Sequence, residues 1–205
     1  MSAALSQFES ELRAFDFSPA PPDAAVFYGS SSIRLWDNLA QSFPGIPVVN
    51  RGFGGSTLAE CIEFLPRVVL PLRPASLVLY AGDNDLEQGA APEQALVLFH
   101  QFIERIREHC PLMPIAYIST KPSPVRFWNL TNIRRANDLI RDACSGCPGV
   151  TYIDIFPLML SPAGGSRPDL FNDDGLHMNS AGYALWTGEI RPWLDSLPVG
   201  ASQPT

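Results

Sequence analysis

Ala24-Ala-Val-Phe-Tyr-Gly-Ser-Ser-Ser, residues 24–32, is a short apolar run halted by a glycine and three serines. An apolar run without polar alternation, too short for a helix, reads as a strand buried on both faces. The same phrase recurs downstream. Pro47-Val-Val-Asn50 runs into Gly52-Phe-Gly-Gly55, and Ser76-Leu-Val-Leu-Tyr80 runs into Gly82-Asp-Asn-Asp85. Ile115-Ala-Tyr-Ile118 precedes Lys121-Pro-Ser-Pro124, and Val150-Thr-Tyr-Ile-Asp154 precedes a Pro- and Gly-rich loop over 157–172.

Helical signals fill the intervals. Leu5, Phe8, Leu12 and Phe15 recur at three to four residues, which predicts an amphipathic helix over 1–16 packing on the domain, ended by Pro19, Pro21 and Pro22. Further helices are expected over Leu35–Phe43, Thr57–Leu70 (capped by Ser56 or Thr57), Pro92–His109, Asn129–Ala143 and Ser180–Leu194. Five strands alternating with helices predict a three-layer α/β/α, doubly wound parallel sheet. The expected organisation is one domain over 1–197, with 1–18 packed on it and a frayed tail over 198–205.

Composition excludes several classes. A net charge of −7 advertises no basic surface for nucleic acid or anionic lipid. No stretch approaches the ~20 apolar residues of a membrane span. The first residues carry neither a basic start nor a long apolar run, so no signal peptide is expected and the cytoplasm is the expected compartment. Cys61, Cys110, Cys144 and Cys147 are then expected as free thiols. Cys144-Ser-Gly-Cys147 has the spacing of a zinc half-site or a redox pair, but no further ligands follow at suitable spacing and the pair sits in a Gly/Pro-rich helix ending. No metal site is expected.

In a doubly wound sheet, ligands bind beyond the carboxyl ends of the strands. The polar residues collect there: Ser30, Ser31 and Ser32 after strand 1, Gly52–Ser56 after strand 2, Asn84 after strand 3, and Asp174 and His177 after strand 5. Asp174 precedes His177 by three residues, so the side chains can face the same way; a carboxylate beside an imidazole fixes its tautomer. Alone, Asp-Gly followed by His also reads as a surface turn. On a rim shared with serines and glycines, the pair becomes a base for a nucleophile.

Four segments resemble the blocks of the SGNH, or GDSL, hydrolases, in that family's order: Tyr-Gly-Ser-Ser-Ser-Ile-Arg-Leu-Trp (28–36), Asn-Arg-Gly-Phe-Gly-Gly-Ser-Thr (50–57), Gly-Asp-Asn-Asp (82–85) and Asp-Gly-Leu-His (174–177). The resemblance implies a flavodoxin-like sheet of order 2-1-3-4-5 and serine ester hydrolysis of a small-molecule substrate without metal or cofactor. It implies Ser31 as nucleophile, His177 as base and Asp174 as its orienting partner. The Ser31 and Gly55 N–H groups and the Asn84 side chain would form the oxyanion hole. Ser30 stands where the family pattern has Asp, which leaves Ser30 and Ser32 as rival nucleophiles. Asp83 replaces a frequent Gly before the Asn and adds negative charge at the rim.

Gly52–Gly55 also precede a helix, as a phosphate-cradling loop would, but the spacing is neither a P-loop nor a dinucleotide fingerprint. His100 and His109 lie on the long helix and read as solvent-facing; Trp36 and Trp186 read as core. Phe53, Arg126 and Trp128 border the rim and are expected either to line the acyl or leaving-group pocket or to pack a proline-stiffened connector. The expected activity is hydrolysis of short, acetyl-like esters, as in the platelet-activating-factor acetylhydrolase-like branch and the carbohydrate acetylesterases. A lysophospholipase or thioesterase on longer chains, and a non-catalytic domain of the same fold, are the alternatives.

Overall fold

A computed structural model describes residues 3–198, and side chains from residue 8. The tail expected from residue 198 lies almost wholly outside the described residues. In chain order the elements are α1 (Ala3–Asp16), β1 (Ala25–Gly29), α2 (Ser31–Arg34), α3 (Leu39–Ser42), β2 (Val48–Gly52), α4 (Leu58–Val68), β3 (Ser76–Tyr80) and α5 (Asp83–Glu87). There follow α6 (Pro92–Arg107), β4 (Ile115–Ile118), α7 (Leu130–Gly146), β5 (Val150–Ile153) and α8 (Ser180–Ser196). A 3₁₀ segment over Pro124–Asn129 bridges β4 and α7. The five strands form one sheet, ordered β2-β1-β3-β4-β5, and all pairings are parallel, as expected.

The sheet's pleat divides the core. Val26, Tyr28, Leu77, Leu79, Ile115 and Tyr117 face one side, where Phe8 and Leu12 of α1 and residues of α4, α6 and α7 cover them. Ala25, Phe27, Val78, Tyr80, Ala116 and Ile118 face the other, against Ile33, Trp36, Phe43 and the inner face of α8. The three inner strands β1, β3 and β4 are buried on both faces, which is why their sequences are almost wholly apolar, whereas the edge strands β2 and β5 carry Asn50, Arg51 and Thr151. Trp36 and Trp186 are core, as read.

One helix expectation fails. Instead of a helix over 35–43, the chain forms two single turns, α2 and α3. Helix starts earlier because the Ser30 carbonyl accepts from the Ile33 and Arg34 N–H groups. The chain leaves the helix at Leu35, and Trp36 inserts into the core, its indole N–H donating to Ser42 Oγ.

Gly29 closes β1 at φ +129°, and a Cβ there would lie 1.9 Å from the Tyr80 carbonyl oxygen on β3. No L side chain fits that backbone or that gap. Gly29→Ala is therefore expected to destabilise the fold by more than about 3 kcal/mol, read as a fall in the urea midpoint at unchanged m-value. A loss below about 1 kcal/mol would contradict the close approach.

Candidate active site

The rim at the carboxyl ends of β1, β2 and β3 is assembled from short connections. Ser31 takes the first position of α2, where a backbone N–H has no acceptor within its own helix. After β2, Gly54 N–H donates to Glu11 of α1, and Gly55 follows at φ +79°, a left-handed turn open to a residue without Cβ. Thr57 then caps α4 in a reciprocal capping box with Glu60. After β3, the chain turns at once into α5, which carries Asp83, Asn84 and Asp85, all buried. The Asp85 carboxylate accepts from Leu58 N–H, so α5 also holds the start of α4; burial pushes Asp85 up to about 6.

The loop after β5 delivers Asp174 and His177. Asn172 N–H donates to the His177 carbonyl, Gly175 N–H donates to the Asn172 carbonyl, and Val125 N–H of the 3₁₀ segment donates to the Gly175 carbonyl. Asn179 caps α8 with its carbonyl oxygen and donates from its amide to the Asp169 and Phe171 carbonyls. From α8, Tyr183 OH donates to the Ser32 carbonyl, which ties this loop's helix to the turn that carries the serines.

These supports bring three side chains into line. Asp174 Oδ2 lies 2.6 Å from His177 Nδ1, and His177 Nε2 lies 3.0 Å from Ser31 Oγ. Asp174 Oδ1 accepts from the Leu176 and His177 N–H groups. Partial burial opposes ionisation of Asp174, but those two amides and the imidazole outweigh it and hold the carboxyl down at about 2. An ionised carboxylate only accepts, so Nδ1 carries the imidazole proton and Nε2 presents its lone pair to Ser31.

Ser30 and Ser32 have other places. Both are buried; Ser30 precedes α2 at its N-cap, and Ser32 Oγ accepts from Lys121 Nζ at 3.1 Å. Only Ser31 of the three meets the imidazole.

Asn84 is fixed at both ends of its amide: Nδ2 donates to the Ser56 carbonyl at 2.9 Å, and Oδ1 accepts from Arg126 Nη2 at 3.0 Å. Arg126 therefore stands at the rim beside Asn84. Phe53 does not line a pocket: it is fully buried between Phe8, Tyr28 and Phe64, because one residue beyond β2 its N–H still pairs with the Gly29 carbonyl and its ring joins Val49 on the same core face. Trp128 is 70% exposed and Val125 53% exposed on the 3₁₀ segment, so the connector presents apolar surface beside the Gly175 turn. His100 and His109 are exposed on or just after α6, remote in role from the rim. Cys144 and Cys147 are free thiols, and among the described residues no group of three or more His, Cys, Asp or Glu is arranged to hold a metal. No helix of the described residues is long and apolar enough to cross a membrane.

Lys121 was not singled out from sequence as a site residue. Its position directly after an apolar strand at the rim was the available signal, hidden because Lys-Pro-Ser-Pro reads as a structure breaker. In the fold its Nζ is sealed among Ser32, Tyr80 and Asp83.

Residues 22–185 match the model of the GDSL-like lipase/acylhydrolase family. The chain is 27% identical over 171 residues to the platelet-activating factor acetylhydrolase IB subunit alpha1 of Bos taurus, covering 77% of this chain and 69% of the relative. Among solved structures, a Streptococcus pneumonia protein named for platelet activating factor superposes with a TM-score of 0.81 at 20% identity, over 92% of each chain. An acetyl esterase variant crystallised with an acetate ion superposes with a TM-score of 0.66 at 17% identity, over 85% of this chain and 97% of the other. The chain belongs to the GDSL-like lipase/acylhydrolase family and is a carboxylic ester hydrolase.

Proposed function

We propose that this chain hydrolyses esters of short acyl groups through a Ser31 acyl-enzyme. The observation that carries the reading is the hydrogen-bonded line Asp174–His177–Ser31. Ser31 Oγ attacks the acyl carbonyl carbon as His177 Nε2 takes its proton. The carbonyl oxygen becomes an oxyanion facing the Ser31 and Gly55 N–H groups and the free N–H of Asn84. Collapse breaks the bond to the leaving oxygen, which takes the proton from His177 and departs as the alcohol. Water then loses a proton to His177, attacks the acyl carbon and releases the carboxylic acid, and His177 returns the proton to Ser31. Asp174 stays ionised throughout and stabilises the imidazolium.

Two observations support a short acyl group. The charged group beside Asn84 that still reaches the surface is the guanidinium of Arg126, over which a long alkyl chain would gain little. A structural neighbour is an acetyl esterase holding acetate. A series of nitrophenyl esters from acetate to decanoate tests the reading: kcat/KM is expected to fall at least about ten-fold between acetate and octanoate. A rise with chain length would favour the lysophospholipase or thioesterase alternative. Absence of labelling of Ser31 by a fluorophosphonate would favour the non-catalytic one.

A further inference from the structure

Beneath the rim lies a buried charged cluster that none of these steps uses. Lys121 Nζ donates to Asp83 Oδ2 at 3.0 Å, to Tyr80 OH at 3.2 Å and to Ser32 Oγ at 3.1 Å. Three acceptors satisfy the three N–H donors of an ammonium. On the other side, Arg126 Nη1 lies 2.9 Å from Asp83 Oδ1, an ion pair in which the N–H is not aimed at the oxygen. Arg126 Nη2 donates to Asn84 Oδ1, and Arg126 Nε lies 3.4 Å from the half-exposed Glu87. Burial raises the cost of ionising Asp83, but Lys121 and Arg126 outweigh it and hold the carboxyl below its ordinary value.

The position of Arg126 matters because an amide side chain is nearly symmetric. Rotated by half a turn, Asn84 would present an oxygen where an oxyanion needs a donor. Guanidinium can only donate, so it accepts only Oδ1 as its neighbour. The Ser56 carbonyl can only accept, so it takes only Nδ2. Between them they admit one orientation and leave one Nδ2–H unspent. A cation on Oδ1 also draws electron density from the amide and strengthens that N–H as a donor. Asp83 keeps the guanidinium in place and, through Lys121, reaches the neighbour of Ser31. Two cations flank Asp83, and Glu87 balances the outer side of Arg126, so the charge of the cluster is compensated where it meets the rim.

We infer that Arg126, clamped by Asp83, is a positioning residue of the oxyanion hole: it acts through Asn84, fixing and polarising the amide whose N–H receives the developing oxyanion. The inference rests on the proposed ester hydrolysis. Asp83 in turn couples the amide to the nucleophile's turn through Lys121 and Ser32.

A double-mutant cycle on the full chain tests it, with nitrophenyl acetate as substrate. Asn84→Ala alone is expected to lower kcat by about 10²–10³. Arg126→Met is expected to lower kcat by about 10–100-fold with KM little changed, since it weakens an interaction made in the transition state. In the Asn84→Ala background the same Arg126→Met change is expected to cost almost nothing further. Equal losses in both backgrounds would overturn the inference, because Arg126 would then act independently of Asn84. No loss from Arg126→Met in the wild-type background would overturn it as well. If Arg126→Met does not fold, Arg126→Lys carries the same cycle, since it keeps the charge but presents no fork. Failure of the underlying reading is distinct: Ser31→Ala would then retain activity, whatever the cycle gives.

Discussion

Ser31→Ala is expected to lower kcat on a short-chain ester by on the order of 10⁶, leaving the thermal midpoint within a few degrees of wild type. The size follows from the mechanism: without Oγ there is no acyl-enzyme, and what remains is water attack assisted by the oxyanion donors. The small effect on stability follows from the position of Ser31 at the rim, where its hydroxyl meets His177 and no core group. The neighbouring serines provide the contrast. Ser30→Ala is expected to leave kcat within about ten-fold, since the Ser30 hydroxyl makes no cap hydrogen bond and α2 is held through its carbonyl. Ser32→Ala removes an acceptor from a buried ammonium and is expected to cost stability, about 1–3 kcal/mol. Retained turnover in Ser31→Ala with loss in Ser30→Ala would move the nucleophile by one residue.

Asp174→Asn is expected to lower kcat by about 10⁴ while the loop keeps its shape. The asparagine oxygen can still accept from Leu176 and His177 N–H, so the turn survives. Its amide nitrogen, however, would donate toward Nδ1 and force the proton onto Nε2, which then points a donor at Ser31. Circular dichroism should be unchanged while turnover collapses; a loss under about ten-fold would show that Asp174 does not set the tautomer. Asp174, at about 2, is ionised across the working range, so the carboxylate stays the acceptor for His177 Nδ1 at every pH at which turnover is measured. In stability the sign follows the lowered carboxyl: the contribution of Asp174 is present above its ordinary 3.8 and is lost as pH falls toward about 2.

The sheet was legible because its inner strands are buried on both faces. Apolar runs at 24–28, 76–80 and 115–118 admit little else, and each ends in a residue that leaves the strand. Asp174 and His177 were legible from their three-residue spacing in a turn, whereas Ser31 was singled out from its neighbours by the resemblance to the GDSL hydrolases. What could not be read was any relation across the chain. That Ser31 and not Ser30 or Ser32 meets the imidazole depends on where α2 begins, and one residue of shift in a short helix rotates every side chain by roughly 100°. Phe53 was open to two readings, pocket lining or packed side chain; one residue beyond β2, its ring turns inward and packs. Lys121 stood in a Lys-Pro-Ser-Pro stretch that reads as a break in structure, and its partners from β3, α2 and α5 make its burial tolerable.

Gly29 supplies a last point, about error rather than strength. Ser30 N–H donates to the Tyr80 carbonyl and Phe53 N–H donates to the Gly29 carbonyl, so the chains leading to Ser31, Gly55 and Asn84 all start from neighbouring rungs at one place in the sheet. Bending or breathing of the sheet carries all three together, and their separations inherit only the slack of a few adjacent hydrogen bonds. His177 has no such shared origin, since it arrives from beyond β5, at the opposite edge, and is referenced to Ser31 through Tyr183 and the Gly175–Val125 contact. Thermal motion should therefore blur the distance from base to nucleophile sooner than the geometry of the oxyanion donors, and warming should cost proton transfer before it costs charge stabilisation.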